Sequence, residues 1–90
     1  MEFVWDEEKN QWLKAARNIS FEDVVRVLLE RGYLAILEHP TRQGQMIFLI
    51  EYNRYTYAVP FEIEDDRLVL KTAFPSRKFH KSYAEKKRET

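Results

Sequence analysis

The segment "QMIFLIEY" (45–52) constrains the fold more than any other part of the chain. It is apolar on both faces of an extended backbone, the pattern of a central strand. Asn53-Arg54 follows as a two-residue hairpin turn; Asn accepts positive φ, whereas Arg is a poor second residue for it. "YTYAVPFEI" (55–63) then alternates, and Pro60, lacking an amide hydrogen, predicts an edge strand or a bulge. Asp65-Asp66 turns the chain into "RLVLKTAF" (67–74), one strand ended by Pro75. Alternation along it places Leu68, Leu70, Thr72 and Phe74 on one face, and Arg67, Val69, Lys71 and Ala73 on the other. "YLAILE" (33–38) and "EFVW" (2–5) read as two further strands.

Two helices lie between the first strand and the rest. Asp6 stands as an N-cap, with Glu7 and Glu8 in the first turn, where the helix dipole favours anions. Trp12, Leu13 and Ala16 give this helix its apolar stripe. Asn-Ile-Ser (18–20) breaks it, and Ser20 with Asp23 resembles a capping box. Phe21, Val24, Val25, Leu28 and Leu29 then follow helical spacing up to Gly32, the expected left-handed residue. Ser76 is positioned to cap a last, basic helix over 77–88, with Phe79 and Tyr83 on its inner face. The order is β-α-α-β-β-β-β-α. Two N-terminal helices covering one face of a mostly antiparallel sheet make the class α+β.

Ninety residues form a single domain, 1–90, and 44% apolar residues with thirteen aromatics are enough for a core. Without cysteine, disulfides, thiolate metal sites and cysteine nucleophiles are excluded. No apolar run approaches the ~20 residues of a membrane span, and the N-terminus has no signal-peptide pattern. The chain therefore reads as cytoplasmic, with no membrane association.

The zero net charge conceals an asymmetry. Residues 71–90 carry seven Lys/Arg against two Asp/Glu, or +5, and residues 1–70 carry eight against thirteen, or −5. With Arg67 and Lys71 on an open sheet face leading to Arg77 and Lys78, the surface suits a phosphate backbone. The alternative is a set of charges that is merely solvated. His80 is a candidate general acid or base, because histidine exchanges protons near neutrality; it can equally be a plain surface residue. His39 precedes a proline and has no partner histidine at ligand spacing, which argues against a metal site. Trp5, Trp12, Tyr55 and Tyr57 are able to stack bases, but helix-core spacing favours the core for both tryptophans.

At "FVWDEEKN" (3–10), "NISFEDVV" (18–25) and "PSRK" (75–78), in this order, the chain resembles the BrnT family. These are ribonuclease toxins of bacterial type II toxin–antitoxin systems, and the resemblance spans essentially the whole chain. It implies a RelE-like fold, inhibition of translation and growth by metal-independent endoribonuclease activity, and no cofactor. The implied partners are a cognate antitoxin protein and RNA, including ribosome-associated mRNA. By position, it implies catalytic roles for Lys9, Arg77 and Lys78, and a basic role for Arg67 or Lys71. Where the family commonly reads Lys-His-Gly, this chain has Ala16, Arg17 and Asn18, so proton transfer falls to His80 or Lys14. Arg67, Lys71, Lys81, Lys14 and Arg17 are the candidate RNA contacts. A second reading stays open: a non-catalytic module whose basic C-terminal face docks an acidic protein or a nucleic acid.

Overall fold

The computed structural model describes residues 2–84, with the side chain of Ala84 left aside. The elements are β1 (Glu2–Val4), α1 (Glu7–Arg17), α2 (Phe21–Glu30), β2 (Ala35–Glu38), β3 (Met46–Tyr52), β4 (Tyr55–Glu64), β5 (Arg67–Leu70), β6 (Phe74–Pro75) and α3 (Arg77–Phe79), which continues as a π-helical segment, His80–Ala84. The class is α+β. The sheet runs β1-β5-β4-β3-β2, with β6 also paired to β4. Every pairing is antiparallel except β1 with β5. Among the described residues no helix is long and apolar enough to cross a membrane.

Local chemistry accounts for the helix boundaries. The Asp6 side chain accepts the Glu8 amide at 2.9 Å, and Asn18, in the left-handed region at φ 55°, closes α1. At α2 the capping box is complete: Ser20 Oγ accepts the Asp23 amide, and the Asp23 carboxylate accepts the Ser20 amide, both at 3.0 Å. Tyr52 also donates its hydroxyl to that carboxylate at 3.1 Å. Burial pushes the Asp23 pKa up, but these hydrogen bonds and Arg26 outweigh it, so the net shift is downward.

The two helices are clasped by Asn10, which is fully buried. Its Oδ1 accepts the Phe21 amide at 2.8 Å, and its Nδ2 donates to Glu22 at 2.7 Å and to Glu7 at 2.9 Å. One amide side chain thus satisfies the start of α2 and fixes its angle to α1.

The core has two parts, one on each face of the sheet. Leu13, Ile19, Phe21, Val24 and Val27 pack on Phe48, Ile50, Val59, Phe61 and Leu70. On the opposite face, Ile47, Leu49 and Ala58 are covered by Phe74, Phe79 and Tyr83. The doubly apolar β3 segment is therefore central, and α3 closes part of the face expected to be open. Phe79 and Tyr83 do form the inner face of this last segment, and Ser76 caps it, accepting the Phe79 amide at 3.2 Å. The expected helix residues 85–88 lie outside the described residues.

Three expectations need correction, and of the two readings of Pro60 the edge strand fails while the bulge holds. Pro60 is buried within β4, an inner strand, paired in register with Ile47. It is tolerated because the amides of Tyr57, Val59 and Phe61 face β3, while position 60 faces the other side, where three residues, 71–73, stand opposite two, 59 and 60. There β4 changes partner, from β6 at residues 57–58 to β5 at 61–64. Residues 67–74 accordingly form two strands, with Lys71–Ala73 displaced between them and the Lys71 amide donating to Pro60 O at 2.9 Å. The displacement breaks alternation: Leu70 and Ala73 both enter the first core, whereas Phe74 reaches the second. On α1 the apolar stripe fails, since Trp12 is 46% exposed and Ala16 is exposed, leaving Leu13 as its core residue. On α2 Val27 is buried, and Leu29, placed on the apolar face by spacing, is 74% exposed.

Asn53 and Arg54 both take positive φ (54° and 62°), the two-residue turn that the pattern predicts.

Replacing Asn10 by alanine leaves the buried Phe21 amide without an acceptor, at an expected cost of about 2 kcal/mol in urea unfolding. The Asn10 hydrogen bond is also the largest cause lowering the Glu22 pKa below its ordinary 4.5. A lowered carboxylate pKa adds stability above the ordinary carboxylate range, and that stability is lost as pH falls through the folded-state value. The gap between wild type and Asn10→Ala should therefore narrow on acidification.

Candidate functional site

The displaced residues 71–73 open a cleft of about 390 Å³ beside Pro60. Three separate parts of the chain bring polar side chains to it: Lys9 from α1, His39 and Arg42 from the β2–β3 loop, and Lys71 from the β5–β6 link. Gln45, Thr72 and Phe74 complete the lining.

Arg17 borders this cleft through the same displaced link. Its guanidinium donates to Ala73 O at 2.8 Å and to Thr72 Oγ1 at 3.3 Å, and stands 6.0 Å from the Phe74 ring. The link has left the ladder and exposes backbone that a fork of N–H donors can reach. Trp12 holds the cations in place from the α1 side. The Lys9 ammonium lies 4.3 Å, and the Arg17 guanidinium 4.7 Å, from its ring centre. Both are cation–π distances, which accounts for a tryptophan that spacing assigns to the core standing at the surface.

One carboxylate belongs to the same surroundings. Glu62 accepts from Gln45 Nε2 at 3.2 Å and lies 3.9 Å from Lys71 Nζ. Lys71 is exposed, so the pair contributes little to stability, and an incoming anion can compete for Lys71.

The β2–β3 loop is ordered by its histidine. His39 Nδ1 faces the amides of Thr41 (3.2 Å) and Arg42 (3.1 Å), and Gly44, at φ 85°, makes the return turn. Amide hydrogens can only be donated, so Nδ1 is an acceptor and the proton of the neutral ring resides on Nε2.

The residues singled out from sequence fall into separate groups. Lys9, Lys71 and Arg17 are brought together at the cleft. Arg77 and Lys78, both exposed, lie at the start of α3, tied to the far end of β4 by the Ser76 amide on Thr56 O at 2.9 Å. Thr56 and Pro60 are four strand positions apart, roughly 13 Å. His80 is half-buried beside Thr56: its Nδ1 accepts the Thr56 amide at 3.2 Å, and its ring stacks on Tyr55 with centres 4.1 Å apart. Lys81 is exposed on the same segment, Lys14 on α1 and Arg67 on β5. Of the other aromatics, Trp5 packs on Phe21 at 5.6 Å in the core and Tyr57 meets Tyr52 edge-on.

His39 and Arg42 join the site without having been singled out as its members. Their signal in the sequence is faint: one imidazole and one guanidinium in a loop whose partners across the cleft are about thirty residues away on either side.

What the arrangement can do follows from its charges. Arginine is always protonated and presents planar donors, while lysine contributes mobile point charges. Together they suit a phosphodiester, with donors from several directions converging on its two free oxygens.

No family model, curated protein or solved structure matches this chain.

Trp12 as a surface clamp and Leu13 as a core residue respond differently to truncation. Trp12→Ala should cost no more than about 2 kcal/mol, the sum of two exposed cation–π contacts. Leu13→Ala should cost about 3 kcal/mol, the usual range for emptying a packed leucine site. Equilibrium unfolding in urea measures both; a larger loss at Trp12 than at Leu13 would contradict this assignment.

Proposed function

We propose that the protein is an RNA-directed toxin of the BrnT kind, RelE-like in fold, which cleaves single-stranded RNA at the cleft and is held in check by an antitoxin. The observation that carries this reading is the convergence of Lys9, Arg42 and Lys71 on one cleft, with Arg17 at its border. The resemblance at "FVWDEEKN" and "NISFEDVV" supports it independently, because those stretches contain Asp6, Asn10, Ser20 and Asp23, which build the helix pair that carries Lys9 and Arg17.

The chemistry is attack of the ribose 2′-oxygen on its own phosphate. The attack places additional negative charge on the phosphoryl oxygens, and fixed cations stabilise that charge more than they stabilise the ground state. Arg17, tied to the backbone of the displaced link, is the most rigid of the four; Lys9 is steadied by Trp12. Arg77, Lys78 and Lys81 extend the basic surface at the far end of β4, where a longer strand of RNA finds further phosphate contacts.

Binding of a short single-stranded RNA to the purified protein, measured across salt concentrations, tests this. Each phosphate contact to a single strand contributes a slope of about 0.7 in log K against log salt. The double variant Lys9→Ala/Lys71→Ala should lower the slope by about 1.4 and weaken binding at least tenfold. Arg77→Ala/Lys78→Ala should weaken it less. If the cleft variant binds as the wild type does, the site is elsewhere; if the wild type binds RNA but never cleaves it, with or without ribosomes, the protein is a binder.

A further inference from the structure

We propose that His39 recognises the RNA phosphate as a neutral hydrogen-bond donor, placing its Nε2–H on a phosphoryl oxygen in the cleft. The inference rests on the reading of the cleft as an RNA site. It adds to that site a contact made without charge, and the ring keeps its proton throughout.

The β2–β3 loop fixes the ring at several points. The His39 amide donates to Gln45 O at 3.0 Å, which holds the residue at the end of the β2–β3 ladder. Pro40 follows with no amide hydrogen, so the next two amides, of Thr41 and Arg42, are the ones that turn back onto Nδ1, at 3.2 and 3.1 Å. Nδ1 can meet two donated hydrogens only as a lone pair, and the ring hydrogen therefore stays on Nε2. The half-buried ring lines the cleft. Its Nε2 has no partner among the described residues and is not sealed from solvent, so it is a donor awaiting an acceptor.

The surroundings choose that acceptor. Lys9, Arg42 and Lys71 line the same cleft, with Arg17 at its border, so charge draws an anion in. Ammonium groups on long stems hold a phosphate without fixing its orientation, whereas a donor on a rigid, anchored ring engages one oxygen from one direction. The loop that anchors the ring also delivers Arg42, so a cation and a neutral donor arrive side by side. His80 puts the same tautomer to another use. Its Nδ1 takes the Thr56 amide, and its ring is stacked on Tyr55 at the far end of β4, where it secures the C-terminal segment to the sheet. Of the two described histidines, His39 is the one that shares a cleft with phosphate-binding cations.

Nitrogen NMR of the histidine rings in the wild-type protein tests this without a variant. Before and after addition of a short single-stranded RNA, His39 should carry hydrogen on Nε2 and none on Nδ1, and its Nε2 resonance should move as RNA binds. The variant His39→Asn keeps an acceptor, Oδ1, in the place of Nδ1 and has nothing in the place of Nε2. It should bind the RNA roughly tenfold more weakly, the usual worth of one hydrogen bond to a charged group. Its slope of log K against log salt should equal that of the wild type, because a neutral contact releases no counterion. A dinucleotide with a single phosphodiester, made uncleavable by a 2′-deoxy sugar, locates the contact. Sulfur in place of one of its two free oxygens should weaken wild-type binding in one diastereomer, and His39→Asn should lose that penalty. A charged His39 ring in the complex, an unmoved Nε2 resonance, or equal RNA affinity in the variant would overturn the proposal while leaving RNA binding intact. So would a salt slope lower by about 0.7 in the variant, or a sulfur penalty shared by both proteins. A wild-type protein that binds no RNA overturns the reading of the cleft, and this proposal with it.

Discussion

Pro60 has no amide hydrogen, and the second half of the molecule is arranged around that absence. A central strand needs donors on both sides, so a proline there is tolerated only where a neighbouring strand is interrupted. The interruption falls between β5 and β6. Residues 71–73 leave the sheet, and the chain re-enters with its faces exchanged, Ala73 towards one core cluster and Phe74 towards the other. The exchange lets a single β4 strand serve two cores, one under α1 and α2 and the other under α3. It also leaves a recess beside Pro60, with one backbone acceptor, Ala73 O, released to Arg17.

The first half of the molecule supplies the other wall of that recess. Asn10 faces inward and binds α2, while Lys9 and Trp12 on the same helix face outward. The clasp therefore sets how the outward residues are presented. Buried amide networks of this kind are exacting, since leaving one partner out costs more than the intact bond contributes. The fold and the site are coupled through α1: rotating it to rebury Trp12 would pull Asn10 from the Phe21 amide. The electrostatic result is local. A chain neutral overall concentrates Lys9, Arg17, Arg42 and Lys71 around one opening, faced by Glu62.

What the sequence makes legible is what short-range chemistry decides. Asp6, the Ser20–Asp23 box, Gly32 and the Asn53-Arg54 turn each act over a few residues, and each is found as the pattern predicts. The central placement of residues 45–52 is equally plain, because an apolar surface on two faces needs two covers. Periodicity fails where tertiary partners override it. Trp12 has core spacing, yet two cations claim its ring; residues 67–74 read as one strand, yet Pro60 on another strand splits them. The site is only partly legible for the same reason. Lys9, Arg17 and Lys71 stand out as cations, but nothing local to His39 or Arg42 announces that a loop brings them to the opposite wall.

The central claim is that the recess created at Pro60 receives the RNA phosphodiester. Backbone amide chemical shifts recorded by NMR during titration with a short single-stranded RNA test it most directly. The account predicts that the largest changes cluster at Lys9, Arg17, residues 39–45 and residues 71–74, with smaller changes at residues 77–81. Changes centred on residues 77–81, with the 39–45 loop and the 71–74 link unmoved, would contradict it.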